Sequence, residues 1–145
     1  MKDQKIVVIV DDNNSNMIAS KEILKSSYVV YPVISAGKMF DLLDHIMPHM
    51  ILLDVEMPEM NGYDAARKLK SSKTLADIPI IFLSGQNDVV SELEGLNIGA
   101  LDYFHKPFVA SLLLKRLEIY FSLLDYRKQA IEQEKYIEEL LKQNS

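Results

Sequence analysis

The stretch Met50-Ile51-Leu52-Leu53-Asp54-Val55-Glu56-Met57-Pro58-Glu59-Met60-Asn61-Gly62 decides the fold. Met50 to Leu53 is an unbroken apolar run and reads as a strand buried on both faces, ending at Asp54. Pro58 and Gly62 punctuate the loop that follows, and a helix is expected from Tyr63 to about Leu69.

The same rhythm extends outward in both directions. Upstream, Ile6 to Val10 is a continuous β-branched run, again a strand buried on both faces. A polar turn over Asp11 to Ser15 leads into a helix carrying Met17, Ile18, Ile23 and Leu24, with Asn14, Ser15 or Asn16 as its expected cap. Val29 to Ile34 is a second strand, which Pro32 assigns to a sheet edge. Gly37 to Ile46 has helical spacing of Met39, Phe40, Leu42, Leu43 and Ile46. Downstream, Pro79 to Leu83 and Leu101 to Phe104 are further strands. A short helix from Asp88 to Asn97 lies between them and stops at Gly99. A last helix starts near Val109. Short strands alternating with helices predict an α/β fold, a three-layer sandwich around a parallel sheet. The flavodoxin-like order, 2-1-3-4-5, is the expected arrangement.

Composition agrees with one domain and a short appendage. The chain has 145 residues, 48% hydrophobic, with no cysteine; that is enough chain for a core, and it excludes disulfides and thiolate metal sites. The net charge of −5 argues against direct nucleic-acid binding by this segment. No apolar run is long enough for a membrane span, and the N-terminus lacks the order of a secretory signal. A cytoplasmic protein is the expectation.

The polar residues carry the chemistry. Asp11 and Asp12 follow strand one, Asp54 strand three, Ser84 strand four and Lys106 strand five. All fall at C-terminal strand ends, where open α/β sheets place their ligand crevice, and the strand order brings them together. Three carboxylates at close range repel one another and call for a hard cation; Mg²⁺ suits oxygen ligands. A carboxylate such as Asp54 can act as nucleophile toward phosphorus. In-line phosphoryl transfer then needs positioning and charge neutralisation, which Mg²⁺, the Lys106 ammonium and the Ser84 hydroxyl can supply. Alone, Asp11 and Asp12 would read as a charge pair at a helix N-terminus. Their register with Asp54, Ser84 and Lys106 favours a site.

Asp11-Asp12, the run Leu52-Leu53-Asp54-Val55-Glu56-Met57-Pro58, Asn61-Gly62, Ser84-Gly85 and Lys106-Pro107-Phe108 together resemble the signature of response-regulator receiver domains of two-component systems. Ser84 lies 30 residues after Asp54 and Lys106 lies 52 after it, the spacings usual in that family. The resemblance covers Lys5 to about Leu124. It implies that Asp54 is the phosphoacceptor, that Asp11, Asp12, Asp54 and the Glu56 backbone carbonyl hold Mg²⁺, and that Lys106 pairs with the phosphoryl group. It implies that Ser84 moves toward that group and that Tyr103 is the switch aromatic, swinging inward as Ser84 shifts. The Lys106-Pro107 bond is expected to be cis. A sensor histidine kinase or a phosphotransfer protein is the implied donor. Two positions stand out: Glu56, a bulky acid two residues after the acceptor, and Gln86, two after Ser84. Both are expected to tune the lifetime of the phosphorylated state. His45, His49 and His105 are assigned no role, and the methionines read as core fillers.

Two other functions fit parts of the pattern. A Mg²⁺-dependent phosphohydrolase also forms an aspartyl phosphate, but it wants a second Asp two residues after the nucleophile, where this chain has Glu56. A receiver-like scaffold that is never phosphorylated would usually have lost Asp54 or Lys106, and both are present. The receiver is thus expected to catalyse only its own phosphorylation and dephosphorylation.

The composition shifts near Leu124, dividing a receiver domain, 1–124, from a helical linker, 125–145, free of Gly and Pro. Leu113, Leu114 and Leu117 are expected to cover the sheet. Leu112, Ile119, Leu123, Tyr126, Ala130, Ile137 and Leu140 form an apolar seam at 4-3 spacing, broken by Arg116 and Gln133. The pattern resembles a coiled coil and predicts a homodimer through this helix. A receiver followed by such a helix resembles regulators carrying an HD-GYP phosphodiesterase or GGDEF cyclase downstream. The chain therefore reads as the N-terminal part of a larger regulator.

Overall fold

The computed structural model describes residues 4–144. Among the described residues, five strands alternate with five helices: β1 (Ile6–Val10), α1 (Asn14–Leu24), β2 (Val29–Val33), α2 (Ala36–Leu43), β3 (Met50–Asp54), α3 (Gly62–Ser71), β4 (Ile80–Ser84), α4 (Val89–Ile98), β5 (Asp102–His105) and α5 (Ala110–Gln143). The strands form one parallel sheet in the order β2-β1-β3-β4-β5. This is the flavodoxin-like arrangement expected from the strand–helix rhythm, with Pro32 on an edge strand as its missing N–H requires.

The continuous apolar runs are continuous because both sheet faces are covered. Val8, Val10, Ile51, Leu53, Ile80 and Phe82 alternate onto the face that packs with Met39 and Leu43 of α2 and Ala65, Ala66 and Leu69 of α3. The intervening residues Val7, Ile9, Met50, Leu52, Ile81 and Leu83 are buried as completely. Burying each large side chain contributes about 1.5–3 kcal/mol, so β1, β3 and β4 hold the sheet together. β2, half exposed on the edge, contributes less.

Helix starts are set by side-chain caps. The Ser35, Asn61 and Asp88 side chains accept hydrogen bonds from the backbone N–H groups of Lys38, Asp64 and Ser91, at 3.1, 2.9 and 2.7 Å respectively. The α1 cap is Asn13, not Asn14, Ser15 or Asn16: its extended backbone and its side chain, which accepts from the Asn16 N–H at 3.1 Å, start the helix one residue earlier. Gly99 ends α4 in the left-handed region, φ 117°, as its lack of a Cβ permits. Strands β4 and β5 each run one residue further than the apolar runs, because the pairing continues through the polar Ser84 and His105.

The chain divides into two compact units, one ending at Ala110 and the other beginning at Ser111. The second unit is the helix α5. Leu113, Leu117 and Phe121 are buried and Leu114 half-buried, whereas from Asp125 to Asn144 every residue is exposed. Of the 4-3 seam, Leu112, Ile119, Leu123, Tyr126, Ile137 and Leu140 are exposed large apolar residues. Among the described residues, no helix is long and apolar enough to cross a membrane.

Candidate functional site

The sheet pairing itself brings the polar residues into register. Asp54 is the last residue of β3, and the next N–H, Val55, donates to Leu83 O at 2.9 Å. Ser84 ends β4, and its carbonyl accepts from the Lys106 N–H at 2.7 Å. On the other side, Asp11 N–H donates to Val33 O at 3.1 Å, while Asp11 Oδ1 accepts from Asn13 N–H at 2.9 Å. Each functional side chain is thus anchored within one residue of a ladder hydrogen bond, the rigid placement a site needs. The Lys106-Pro107 bond is cis.

Lys106 Nζ lies 3.0 Å from Asp54 Oδ1 and 3.3 Å from Asp11 Oδ2. The two carboxylates are only 1% and 2% exposed, so this ion pair works with little solvent screening. Burial pushes the Asp54 carboxyl up, against the opposing pull of the Lys106 ammonium. The negative charges of Asp11 and Glu56 add to the rise, and the result is a pKa of about 7. Burial pushes the Lys106 ammonium down, but the Asp54 and Asp11 carboxylates outweigh it and hold its pKa above the ordinary lysine value. Asp12 is exposed, and one oxygen from each of Asp11, Asp12 and Asp54 lies within 4.8 Å of the others. Of these three carboxylates, Asp11 and Asp54 share the one Lys106 ammonium and Asp12 adds a further negative charge beside them. That imbalance, and an all-oxygen donor set at such range, fit a hard divalent cation such as Mg²⁺.

Ser84 is fully buried, and its Oγ donates to Glu56 Oε2 at 2.8 Å while accepting from Gln86 N–H at 2.9 Å. Glu56 Oε1 accepts from Gly85 N–H. Glu56 is thus tied to the Ser84 turn, and its own N–H donates to Asp54 Oδ1 at 3.3 Å. Gln86 meets the site through its backbone, by the bond to Ser84. Tyr103 is 5% exposed and already sits inward, its hydroxyl 3.2 Å from that of Tyr63.

Three contributions went unread in the sequence. Tyr63 ties three elements together: its hydroxyl donates to Ser91 O at the start of α4, meets Tyr103, and its ring packs edge-on to Phe82 at 5.1 Å. Burial keeps this phenol protonated, its pKa raised with help from the Tyr103 bond. His105 bonds Glu92 Oε1 through Nε2 at 2.7 Å and the Gln86 carbonyl through Nδ1 at 3.1 Å. It therefore clasps β5 to α4 and to the loop after Ser84. His49 Nδ1 accepts from Ile6 N–H at 2.9 Å, closing the start of β1. No local signal marks these roles, because each partner is at least 13 residues away.

The response regulator receiver domain family matches residues 7–118. The chain is 28% identical, over 114 residues, to the response regulator protein GraR of Staphylococcus aureus, a match covering 79% of this chain and 50% of GraR. It spans about half the length of the curated relatives it matches. Among solved structures, the BeF₃-activated receiver domain of DrrB from Thermotoga maritima is similar at TM-score 0.74 and 28% identity, over 82% of this chain and 98% of that one. The chemotaxis response regulator CheY4 of Vibrio cholerae is similar at TM-score 0.74 and 25% identity, over 79% of this chain and 97% of that one. With most of the sheet, its helices and the convergent Asp, Ser and Lys positions inside the matched span, this chain belongs to the response regulator receiver domain family.

Proposed function

We propose that Asp54 accepts a phosphoryl group from a sensor histidine kinase or a phosphotransfer protein, and that the transfer depends on Mg²⁺. The observation that carries this reading is the buried Asp54 carboxylate, paired with Lys106 Nζ at 3.0 Å beside the acidic pair Asp11 and Asp12. One Asp54 oxygen bonds to phosphorus while the P–N bond of a donor phosphohistidine breaks. The bonding pair leaves with the imidazole, and the phosphoryl charge passes to the aspartyl phosphate. Lys106 follows the charge from the carboxylate to the phosphoryl oxygens, and Ser84 donates its hydroxyl to one of them. Asp11, Asp12, Asp54 and the Glu56 carbonyl are the residues that would hold Mg²⁺, which when bound neutralises phosphoryl charge. Tyr103, inside the fold and bonded to Tyr63, is the natural reporter of movement at Ser84.

Intact-mass analysis tests this reading. Wild-type protein incubated with Mg²⁺ and acetyl phosphate should gain a single alkali-labile phosphoryl adduct, absent without the metal and absent in Asp54→Ala. No adduct from any donor, in a folded protein, would leave a scaffold. Steady turnover of many phosphate esters would indicate a phosphohydrolase.

The linker reading rests on the exposed seam of α5. Leu123 and Ile137 are 58% and 48% exposed, and a helix stripe of this kind is stabilised by a partner helix. We place the receiver at 1–124 and assign 125–145 to a two-stranded coiled coil in a homodimer. Substituting Leu123→Glu with Ile137→Glu introduces charge at exposed positions, so the monomer fold should survive. Losing roughly 1.5–3 kcal/mol of apolar burial at each of the two sites should weaken the dimer by at least about a hundredfold, read by analytical ultracentrifugation. An unchanged dimer would place the interface elsewhere. The output attached to this receiver is proposed to be of HD-GYP or GGDEF type, and the setting cytoplasmic.

A further inference from the structure

Glu56 is exposed as a residue, yet both oxygens of its carboxylate are engaged. Oε2 accepts a hydrogen bond from the Ser84 hydroxyl at 2.8 Å, and Oε1 accepts one from the Gly85 N–H. These two donors stand together at the C-terminal end of β4, the strand paired with the one that ends in Asp54. Glu56 is also close enough for its charge to act on the Asp54 carboxyl. A hydroxyl and a backbone N–H converging on one two-oxygen anion beside a nucleophile form a small oxyanion cradle.

Each donor has a single proton to give. Ser84 Oγ–H cannot serve Glu56 and a phosphoryl oxygen at once, and neither can Gly85 N–H. A phosphoryl group on Asp54 would also place like charge against the Glu56 carboxylate. Occupancy is therefore exclusive. We infer that the Glu56 carboxylate is a built-in stand-in for phosphoryl oxygens: it fills the Ser84 and Gly85 donors in the unphosphorylated state and must swing out before Asp54 is phosphorylated. Glu56 is thus a gating residue of the acceptor loop, acting through Ser84 and Gly85 and not on phosphorus. The inference rests on the phosphoacceptor reading and gives it a direction: the unphosphorylated state is held by a competitor carried on the same chain. Gly85 suits this arrangement, since a Cβ there would lie 3.1 Å from Glu56 Oε1.

The test uses the full chain as wild type, Glu56→Ala and Glu56→Gln, with saturating Mg²⁺. The rate of phosphorylation by acetyl phosphate is measured at high salt, where long-range repulsion of the anionic donor is screened. In parallel, NMR follows the Glu56 side-chain carboxyl carbon and the Gly85 amide as beryllofluoride is added. Glu56→Ala should react about tenfold faster or more, the scale of freeing two charge-assisted hydrogen-bond donors. Glu56→Gln, which keeps the side chain's size and removes its charge, should also exceed wild type. Beryllofluoride should move the wild-type Glu56 carboxyl signal to that of a solvated glutamate while the Gly85 amide keeps a hydrogen-bonded shift. Equal or slower rates in both variants, or a Glu56 signal that does not move when the analogue binds, would overturn the inference while wild type still forms its adduct. No adduct and no analogue binding in any of the three proteins would remove the phosphoacceptor reading, and this inference with it.

Discussion

At pH 8 and without divalent cations, Asp54→Asn should melt above wild type. The Asp54 carboxyl has a pKa of about 7 in the folded chain against 3.8 for an unhindered aspartate. The folded state therefore binds the Asp54 proton more tightly than the unfolded state does. Stability from this group is fully present below pH 3.8 and is lost progressively as pH rises toward 7, because the unfolded chain releases the proton first. Above that, the buried carboxylate is charged and its full cost is expressed. At about 1.4 kcal/mol per unit, the shift sets an upper bound of roughly 4 kcal/mol. Asparagine stands in for the protonated acid and removes this cost, which is already net of the pull of Lys106; Lys106 then keeps only Asp11 as a charged partner. A net gain of about 2 kcal/mol is expected, or a rise in Tm of about 5 °C. The gain should shrink at pH 5 and shrink again with Mg²⁺, which stabilises wild type by binding the native carboxylates. Thermal melts at pH 5 and pH 8, with and without Mg²⁺, check all of this. A lower Tm for the variant at pH 8 without metal would show that the Lys106 pair outweighs the burial of Asp54.

That expected instability is a local cost of crowding three carboxylates. Asp11, Asp12 and Asp54 are brought within 4.8 Å of one another by strand ends whose positions the hydrophobic sheet dictates. The stability that offsets it comes from fully buried residues such as Ile9, Leu52 and Phe82.

The residues that were legible in sequence are those whose signal is local or periodic. Runs such as Ile6–Val10 and Met50–Leu53 announce strands buried on both faces, and Pro32 marks the edge. Asp54, Ser84 and Lys106 are readable because each directly terminates or follows such a run, so strand order alone carries them to one place. What stayed hidden depends on side-chain direction over long separations. Nothing near Tyr63 reveals that its hydroxyl meets Tyr103, 40 residues on. His105 looks like one of three scattered histidines until α4 brings Glu92 to its ring. Glu56 could be placed near Asp54 from its spacing. Its grip on Ser84 and Gly85 is a rotamer choice, made by two donors that the β4 turn points at it. The α1 cap was misplaced for a related reason: Asn13, Asn14, Ser15 and Asn16 are all competent cap types, and it is Asn13 whose backbone is extended, with its N–H held by the Asp11 side chain.

Gly62→Ala should be among the most damaging single methyl additions in the molecule, for a reason unconnected with glycine's flexibility. A Cβ at this position would lie 2.3 Å from Asp54 O, 2.8 Å from Val55 Cα and 2.9 Å from Asp54 C. All three are backbone atoms, so no side chain can turn aside. The loop cannot simply retreat, because Gly62 N–H donates to Val55 O at 2.9 Å and Val55 N–H donates to Leu83 O at 2.9 Å. Relief has to come either from α3, whose Ala65, Ala66 and Leu69 are fully buried, or from the end of β3, which carries Asp54. Overpacking against such a surround costs about 3 kcal/mol, a fall in Tm on the order of 10 °C for a domain of this size. Any shift of β3 also lengthens the 3.0 Å pair between Asp54 and Lys106, so phosphorylation should slow along with the loss of stability. Gly37→Ala is the matched control: its Cβ would meet only Ser35 Oγ, at 3.9 Å, inside α2. Relieving a helical glycine there should stabilise by up to about 0.5–1 kcal/mol. Gly95→Ala belongs between the two, since its Cβ would press on the rings of Phe82 and Tyr103 at 3.0 Å, and rings can tilt where backbone cannot. Chemical denaturation of the three variants gives the order directly. If Gly62→Ala unfolds within about 0.5 kcal/mol of wild type, a margin ordinary for surface substitutions, the acceptor loop has slack. In that case the placement of Asp54 owes nothing to the close approach of Gly62, and the Asn61-Gly62 pair serves only to cap and start α3.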